Sequence, residues 1–278
     1  LCLLFFFLLV LLFFLLFSFN NSFSQKNKKD SKNESSLYSG LKFRSVGPAF
    51  MSGRIAEIAI NPENENEWYV AVGSGGAWKT VNAGTTWEPL TDNQSFYSTG
   101  SITIDPNNTS TIWLGTGENV GGRHVGIGKG VFVTKDGGKT WKNKGLNNSE
   151  HISKIIVNKK DSNIVFVASQ GPLWSSGGER GLYKSIDGGS NWNLVLSVNE
   201  WTGVTDVVVD PRDENIMYAA TWQRHRNVAA YMGGGVGTKL FKSTDGGDSW
   251  RQLKTGLPTG KLGKIGLAIS EINPDVLY

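Results

Sequence analysis

The chain has 278 residues, one cysteine (Cys2) and a formal net charge of +4, from 28 Lys and Arg against 24 Asp and Glu. Basic and acidic residues are mixed along the sequence, which excludes the basic stripe that nucleic acid requires, so we expect no nucleic-acid partner. A single cysteine excludes a disulfide framework and a thiolate metal site. We predict neither a metal nor a cofactor.

The first 24 residues have the pattern of a secretory signal. Residues 1–17 are all apolar, and polar residues follow up to a plausible cleavage site at Ser24. There is no initiating Met or basic start, so we expect the sequence to begin inside this signal. The alternative is a retained membrane anchor, but a span needs roughly 20 apolar residues and this run ends at Phe17, so the pattern favours a cleaved signal. We predict a secreted, cell-surface or periplasmic protein with no membrane span after signal removal, and a flexible polar leader at 25–36.

From Arg54 onward the chain consists of short β-branched and aromatic runs, separated by turns rich in Asn, Asp, Pro and Gly. Such runs predict strands, and no segment has the period of an amphipathic helix. Four runs recur in each stretch of about 50 residues, which predicts an all-β chain, a β-propeller of four-stranded blades. The predicted blades are about 54–90, 99–144, 151–196 and 203–254, with a partial fifth at 261–278.

The propeller domain is predicted to cover 37–278. Its first run, 38–46, resembles a lone fourth strand that could close the ring. We expect the propeller to be truncated at both ends, so that the remaining blades of the full-length chain are its partners.

One eight-residue motif marks each predicted blade: Ser or Thr, any residue, Asp or Asn, any residue, Gly, two residues, then Trp. Its Asp or Asn positions lie 54, 51 and 58 residues apart. We predict a turn between the third and fourth strands, in which the carboxylate accepts hydrogen bonds from backbone amides, Gly adopts a positive φ, and Trp packs between sheets. The structural residues are Asn82, Asp136, Asp187, Asp245, Trp87, Trp141, Trp192 and Trp250.

Strand alternation places the second-to-third and fourth-to-first connections at the pole opposite this turn. Three second-to-third connections are long, at 115–130, 169–181 and 221–238, and long loops on a rigid scaffold are the usual seat of function. We predict ligand binding by Arg54, Glu118, Arg123, His124, Trp174, Arg180, Trp222, Arg224, His225 and Arg226. The same pole is predicted to carry Asp92, Tyr97, Glu150, Glu179, Glu200, Trp201 and Tyr231.

The three histidines do not indicate a metal site. His124, His151 and His225 lie in different repeats without zinc-site spacing, and we expect each to be a surface residue.

The eight-residue motif is similar to the Asp box, or BNR repeat. With it, the stretch 43–278 resembles the N-terminal propeller of secreted bacterial proteins related to sortilin/VPS10 receptors and to xyloglucanases. The xyloglucanase resemblance implies a catalytic Asp just before the run Gly75-Gly76-Ala77-Trp78, but Gly73 stands there, with Ser74 next. Residues 43–46 lack the Arg-Ile-Pro signature of sialidases, which share the box.

Two functions remain open at this point. The first is binding of a carbohydrate polymer or a protein ligand through the long-loop pole, since aromatic rings and Arg forks suit such ligands. The alternative is a glycoside hydrolase with Glu118 as the best catalytic candidate and Asp92, Glu179 or Glu200 as its partner. An assembly factor is a third idea that no residue singles out.

Overall fold

The computed structural model describes residues 54–278. The predicted signal peptide, the leader and the strand at 38–46 therefore lie outside the described residues. Within 54–278 there are eighteen strands and no helix. The predicted all-β class is confirmed.

Sixteen of the strands form four antiparallel sheets, each of four strands. The first sheet contains β1 (Ile55–Asn61), β2 (Asn64–Val72), β3 (Gly76–Thr80) and β4 (Glu88–Pro89). The second contains β5 (Thr99–Asp105), β6 (Asn108–Thr116), β7 (Val131–Thr134) and β8 (Lys142–Asn143). The third contains β9 (Ile152–Val157), β10 (Val165–Ser169), β11 (Gly181–Ser185) and β12 (Asn193–Leu196). The fourth contains β13 (Thr202–Asp210), β14 (Asp213–Gln223), β17 (Leu240–Ser243) and β18 (Arg251–Leu253).

The four sheets are arranged as blades around an axis. The first strands of successive sheets, β1, β5, β9 and β13, pack side by side. Apolar side chains fill the space between neighbouring sheets: Tyr69 and Ile112 between the first and second, Val133 and Val165 between the second and third. Burial between sheets, rather than within one sheet, makes each blade depend on its neighbours.

The eight-residue motifs lie together at one pole, which we call the box pole. In every sheet, the turn after the third strand donates a backbone hydrogen bond to the start of the same sheet's second strand. The four bonds are Ala83 N to Asn66 O (2.9 Å), Gly137 N to Ser110 O (3.0 Å), Gly188 N to Asn163 O (3.0 Å) and Gly246 N to Asn215 O (3.1 Å). The second-to-third connections therefore leave the sheets at the opposite pole.

Each turn at the box pole closes on its own polar side chains. In the second sheet, Asp136 Oδ1 accepts hydrogen bonds from Thr134 Oγ1 (2.6 Å) and from the backbone N of Thr140 (2.9 Å). These bonds hold the pKa of Asp136 well below its ordinary value, and the hydrogen bond from the Thr134 hydroxyl has the largest effect. Asp187 and Asp245 repeat the arrangement, and Asn82 reproduces it without a charge.

The motif tryptophans connect neighbouring blades where a preceding blade is described. Trp141 Nε1 donates to Leu90 O of the first sheet (3.2 Å), and Trp192 Nε1 donates to Lys144 O of the second (2.7 Å). Trp250 donates within its own turn, to Gly247 O (3.1 Å). Trp87, in the first described sheet, is 36% exposed and lies against Trp68.

The fourth sheet departs from the simple repeat. Its second strand runs on to Gln223, and the connection that follows contains a two-stranded hairpin, β15 (His225–Arg226) with β16 (Tyr231–Met232). Beyond Leu253, the chain forms isolated bridges from Leu262 to Gly235 and from Ile269 to Leu277.

Candidate functional site

Three of the four second-to-third connections are long, and they meet at one pole. The first sheet has three residues there, 73–75, whereas the others have 117–130, 170–180 and 224–239. We call these three segments the long loops, and we call the end of the molecule that carries them, with the fourth-to-first connections, the long-loop pole. A pole built from such unequal loops differs from the box pole, where every turn has the same form.

The loop of the second blade reaches over the third blade to the loop of the fourth. Arg123 donates to Val228 O (3.0 Å), and Arg226 donates through Nη2 to Gly121 O (2.9 Å). A Cβ at Gly121 would come within 1.9 Å of the Tyr231 hydroxyl, so only glycine permits this approach. The two loops therefore hold each other in place across the blade between them.

Arg180 holds the loop of the third blade. Its guanidinium donates to five backbone carbonyls, including those of Gln170 (2.7 Å), Ser175 (2.7 Å) and Gly177 (2.9 Å). The residue is only 4% exposed, and burial lowers the pKa of Arg180 to about 10. Because its donors are engaged by its own loop, this side chain fixes the loop's shape.

Arg224 connects all three long loops. Its Nη1 donates to Val120 O (2.6 Å) and its Nη2 to Gly171 O (3.2 Å), and the residue is 0% exposed. Burial, reinforced by the neighbouring charge of Arg180, lowers the pKa of Arg224 to about 9. Its Nε has no partner among the described residues. A buried guanidinium with a free donor is an unusual feature in a folded protein.

The structure places the predicted ligand-binding residues at different depths. Arg180, Trp222 and Arg224 are buried beneath the loops, while His225 and Arg226 are half-buried. The remaining residues with an exposed surface here are Arg54, Arg123, His124 and Trp174. The binding role of all of them stays a prediction.

Exposed aromatic rings are concentrated at this pole. Among the described residues, the exposed aromatic side chains at the long-loop pole are Tyr97 (61%), Trp174 (44%) and Tyr231 (40%). Trp201 packs against His225, with ring centroids 4.2 Å apart and ring planes tilted by 54°. The Arg226 guanidinium lies 4.4 Å from the centre of the Tyr231 ring, which holds that ring in place. These rings offer flat, fixed surfaces to a ligand.

Glu118 is buried beside the first blade. It is 2% exposed and forms an ion pair with Arg54. Ser74 Oγ donates to its Oε1 (2.9 Å), and the backbone N of Gly126 donates to its Oε2 (3.2 Å). Gly73 lies directly against the same carboxylate. Both oxygens of Glu118 are thus held by protein groups.

The carboxylates that could pair with Glu118 are engaged elsewhere or face solvent. Glu179 Oε2 accepts from the backbone N of Asn148 (2.7 Å), and Asp92 and Glu200 are exposed. No hydrogen bond in residues 54–278 joins any of these three to Glu118. The sequence alone did not indicate the contact of Glu118 with Arg54, which lies 64 residues earlier in the chain.

His151 is not a surface residue, and that expectation is wrong. It is 1% exposed, and its carbonyl accepts a hydrogen bond from the backbone N of Gln170, the first residue of the third blade's loop (2.9 Å). Burial, followed by the charge of Arg224, lowers the pKa of His151 to about 3. The neighbouring Glu150 has its pKa raised by burial. This region of the pole therefore holds a neutral imidazole under two guanidinium groups.

Lys264 also lies at this pole, although it is not among the residues predicted for it from the sequence. Its Nζ donates to Asn119 O (2.7 Å) and lies 5.6 Å from the centre of the Trp222 ring. The repeat itself carries a signal for it. Lys264-Ile265 occupies the position in the partial fifth repeat that Arg54-Ile55 occupies in the first, so an alignment of first strands places a basic side chain at both.

Comparisons with known proteins agree with this architecture. Residues 129–264 match the Sortilin-Vps10 family, described as sortilin, neurotensin receptor 3. A probable oligoxyloglucan-reducing end-specific xyloglucanase of Neosartorya fischeri is 25% identical over 221 residues, which is 72% of this chain. The chain spans only 24% of that enzyme's length.

Two solved structures share the fold. An ancestral GH74 enzyme superposes with a TM-score of 0.56 at 19% identity, over 74% of this chain and 26% of that one. The GH74 xyloglucanase from Xanthomonas campestris superposes with a TM-score of 0.54 at 18% identity, over 80% of this chain and 34% of that one. At these identities the likeness establishes the fold, which is that of a β-propeller. Within residues 54–278, no helix has the length and apolar character to cross a bilayer.

Proposed function

We propose that this protein is a secreted propeller that binds a polysaccharide at the long-loop pole. The observation that carries the proposal is the set of exposed rings at that pole, Tyr97, Trp174 and Tyr231. Trp174 and Tyr231 stand on long loops that Arg-to-carbonyl hydrogen bonds hold in shape, and the carbonyl of Tyr97 accepts a hydrogen bond from the backbone N of Gly76 (2.9 Å). Flat rings on a preorganised surface bind sugar faces with little loss of conformational entropy.

The spread of the rings suits a polymer. Tyr97 belongs to the first-to-second blade connection, Trp174 to the third blade and Tyr231 to the fourth. Packed sheets lie about 10 Å apart, so a ligand that contacts all three rings must extend over several blades. The similarity to a xyloglucanase supports a carbohydrate as the polymer, and the secretory signal predicted at 1–24 fits an extracellular substrate.

Affinity gel electrophoresis in the presence of plant and algal polysaccharides tests the proposal. We expect at least one polymer to retard the protein, and Trp174→Ala to weaken that retardation by about tenfold, the usual effect of removing a stacked ring at a binding site. Trp87→Ala is the matched control, because Trp87 has a similar exposed fraction but lies at the box pole. Retardation that survives Trp174→Ala and is lost in Trp87→Ala would contradict the proposal.

Hydrolysis of a glycosidic bond is the second candidate, favoured by the xyloglucanase relative. It requires one carboxyl group as acid and a second as base or nucleophile. Glu118 is the candidate acid, but an acid must reach the glycosidic oxygen, and the Glu118 carboxylate faces Arg54, Ser74 and Gly126. Binding without turnover is therefore the function that the geometry supports better.

Release of reducing sugar distinguishes the two candidates. We expect the protein to bind the retarding polymer and release none. Release that is lost in Glu118→Gln and retained in Glu88→Gln, which changes an exposed carboxylate next to Trp87 at the box pole, would replace binding by hydrolysis as the function.

A further inference from the structure

We propose that the polysaccharide recognised at the long-loop pole is anionic, carrying carboxylate or sulfate groups, rather than neutral. This inference rests on the proposed function and assigns its ligand class. It is carried by a cluster of basic side chains around the loop of the second blade.

Three cations converge on three consecutive carbonyls of that loop. Lys264 Nζ donates to Asn119 O (2.7 Å), Arg224 Nη1 to Val120 O (2.6 Å) and Arg226 Nη2 to Gly121 O (2.9 Å). Consecutive residues lie about 3.8 Å apart along the chain. The three positive charges, which come from the fourth blade and the partial fifth repeat, are therefore close neighbours.

Two further basic residues extend the cluster. Arg123 donates to Val228 O in the loop opposite, and Arg180 donates only to carbonyls of its surroundings. The five side chains form no ion pair among the described residues. We call them the cationic cluster: Arg123, Arg180, Arg224, Arg226 and Lys264.

Carbonyl partners satisfy the donors of the cluster without neutralising its charge. A carbonyl is a dipole, so five formal charges remain. The carboxylates that face them are Glu150, Glu200 and Asp206, and none of the three forms an ion pair with a side chain of the cluster. Glu118 is already paired with Arg54.

The charges of the cluster also act on one another. After burial, the next cause that lowers the pKa of Arg224 is the charge of Arg180, and the next that lowers the pKa of Lys264 is the charge of Arg224. Like charges that repel in this way leave a positive potential over the surface above them, and low-dielectric walls focus it. An anionic group placed there would relieve the repulsion.

The cluster also has groups that can contact a ligand directly. Arg123 and Lys264 are exposed, and the half-buried Arg226 lies against the exposed ring of Tyr231. Nε and Nη2 of Arg226 both donate to Gly121 O, which leaves its Nη1 as the donor for a carboxylate or sulfate oxygen of a sugar that packs beside the Tyr231 ring. The unpartnered Nε of Arg224 lies buried beneath these groups, so Arg224 contributes its charge and not a direct contact.

The ionic strength dependence of binding tests the inference. We expect the protein to bind polygalacturonate or a sulfated galactan, and the affinity to fall by about tenfold between about 50 mM and about 500 mM NaCl, since added salt screens exposed charges. Two further polymers serve as companions in the same assay. Xyloglucan is a neutral polysaccharide, and polyglutamate is an anionic polymer without sugars that shows whether negative charge alone is sufficient for binding. Preference for either anionic polysaccharide over both companions supports the inference.

Substitutions test whether the cationic cluster is the site that binds the anionic polymer. Arg226→Gln is expected to weaken binding of the anionic polymer by about tenfold, with Arg226→Lys intermediate because it keeps the charge but loses the fork. Lys139→Gln is the matched control, since Lys139 is an exposed cation at the box pole. Where Arg226→Gln lowers the melting temperature, Lys264→Gln provides a second test of the same cluster.

The outcomes separate this inference from the proposed function. Salt-independent binding of neutral xyloglucan, equal to that of the anionic polymers, would overturn the anionic ligand and leave polysaccharide binding intact. Binding of polyglutamate alone, or of no polymer, would overturn both. Equal loss in Lys139→Gln and Arg226→Gln would also overturn the inference, because the effect would then come from net charge and not from the cluster.

Discussion

The carboxylate of Glu118 occupies the space beside Gly73. A Cβ at Gly73 would lie 2.6 Å from Oε1 and 3.2 Å from Cδ of Glu118. The two residues come from different blades and are 45 positions apart in the chain. The resemblance to xyloglucanases implies an acidic residue at the position of Gly73. Gly73 stands at that position here, and its lack of a side chain leaves room for the carboxylate of Glu118 from the second blade.

This contact predicts coupled effects of substitution. We expect Gly73→Asp to destabilise the protein by about 2 kcal/mol, because the added side chain overlaps Glu118 and places two carboxylates together. Adding Glu118→Ser should recover at least about 1 kcal/mol, and urea unfolding of the two single variants and the double variant measures this coupling. If the loss of stability in the double variant equals the sum of the losses in the two single variants, the contact between the two residues is contradicted.

The first box turn carries a strained residue. Ala83 has a φ of 52°, whereas the corresponding Gly137 of the second turn has a φ of 69°. A left-handed conformation costs a residue with a Cβ about 1 kcal/mol, so we expect Ala83→Gly to raise the free energy of unfolding by about 0.5 kcal/mol. Gly137→Ala is the reverse change and should lower it by about 1 kcal/mol, since its nearest neighbours would be 3.5 Å away and cause no clash. In thermal unfolding, we therefore expect Ala83→Gly to raise the melting temperature and Gly137→Ala to lower it.

Trp192 and Trp87 occupy the same motif position but differ in what they contact. Trp192 packs edge-on against Trp113 (84° between ring planes) and donates to the second blade, while Trp87 is partly exposed. Trp192 is half-buried, so we expect Trp192→Ala to cost about 3 kcal/mol, the lower end of the range for a tryptophan in a core. Trp87→Ala should cost less than half as much. Similar shifts of the denaturation midpoint would show that Trp192 does not join the blades.

His151 predicts a loss of stability on mild acidification. Its pKa is about 3 in the folded protein against an ordinary value of 6.5. As the pH falls below 6.5, the unfolded chain takes up a proton that the folded protein refuses, so stability decreases, by up to ~1.4 kcal/mol per pH unit. This contribution is fully present above pH 6.5 and decreases between pH 6.5 and about 3.

The comparison with His151→Gln isolates that contribution. Between pH 6.5 and about 4, the free energy of unfolding of the variant should fall less steeply than that of the wild type, because Gln does not titrate. Lys139→Gln, which changes an exposed cation at the box pole, is the control for the effect of a surface substitution to Gln. Parallel slopes in wild type and His151→Gln would mean that His151 is charged in the folded protein.

The blades were predictable because their signals are local. Asp136 and Asp187 each find their hydrogen-bond partners within four residues of the same motif. Strands and turns follow one another regularly, so the length of the repeat and the pole at which each turn lies can be predicted from the sequence. The pole's interior was not predictable in this way. From the sequence, Arg224 is expected to be an exposed loop residue. Its hydrogen-bond acceptor, the carbonyl of Val120, lies 104 positions earlier, and no local sequence pattern indicates that contact.

The same limit applies to Glu118 and His151. The sequence singled out Glu118 from its position after a strand, but its ion pair with Arg54 depends on how two blades pack. The burial of His151 depends on the loop of the third blade closing over it. The hairpin of β15 and β16 was hidden inside what looked like one long connection, because its two strands have two residues each.

Footprinting with a bound polysaccharide tests the central claim most directly. The protein is exposed to hydroxyl radicals with and without the polymer that retards it, and the modification of exposed rings is compared by mass spectrometry. We expect protection of Tyr97, Trp174 and Tyr231 at the long-loop pole, with Trp87 at the box pole modified equally in both samples. Protection of Trp87 with the three long-loop rings unchanged would contradict the account.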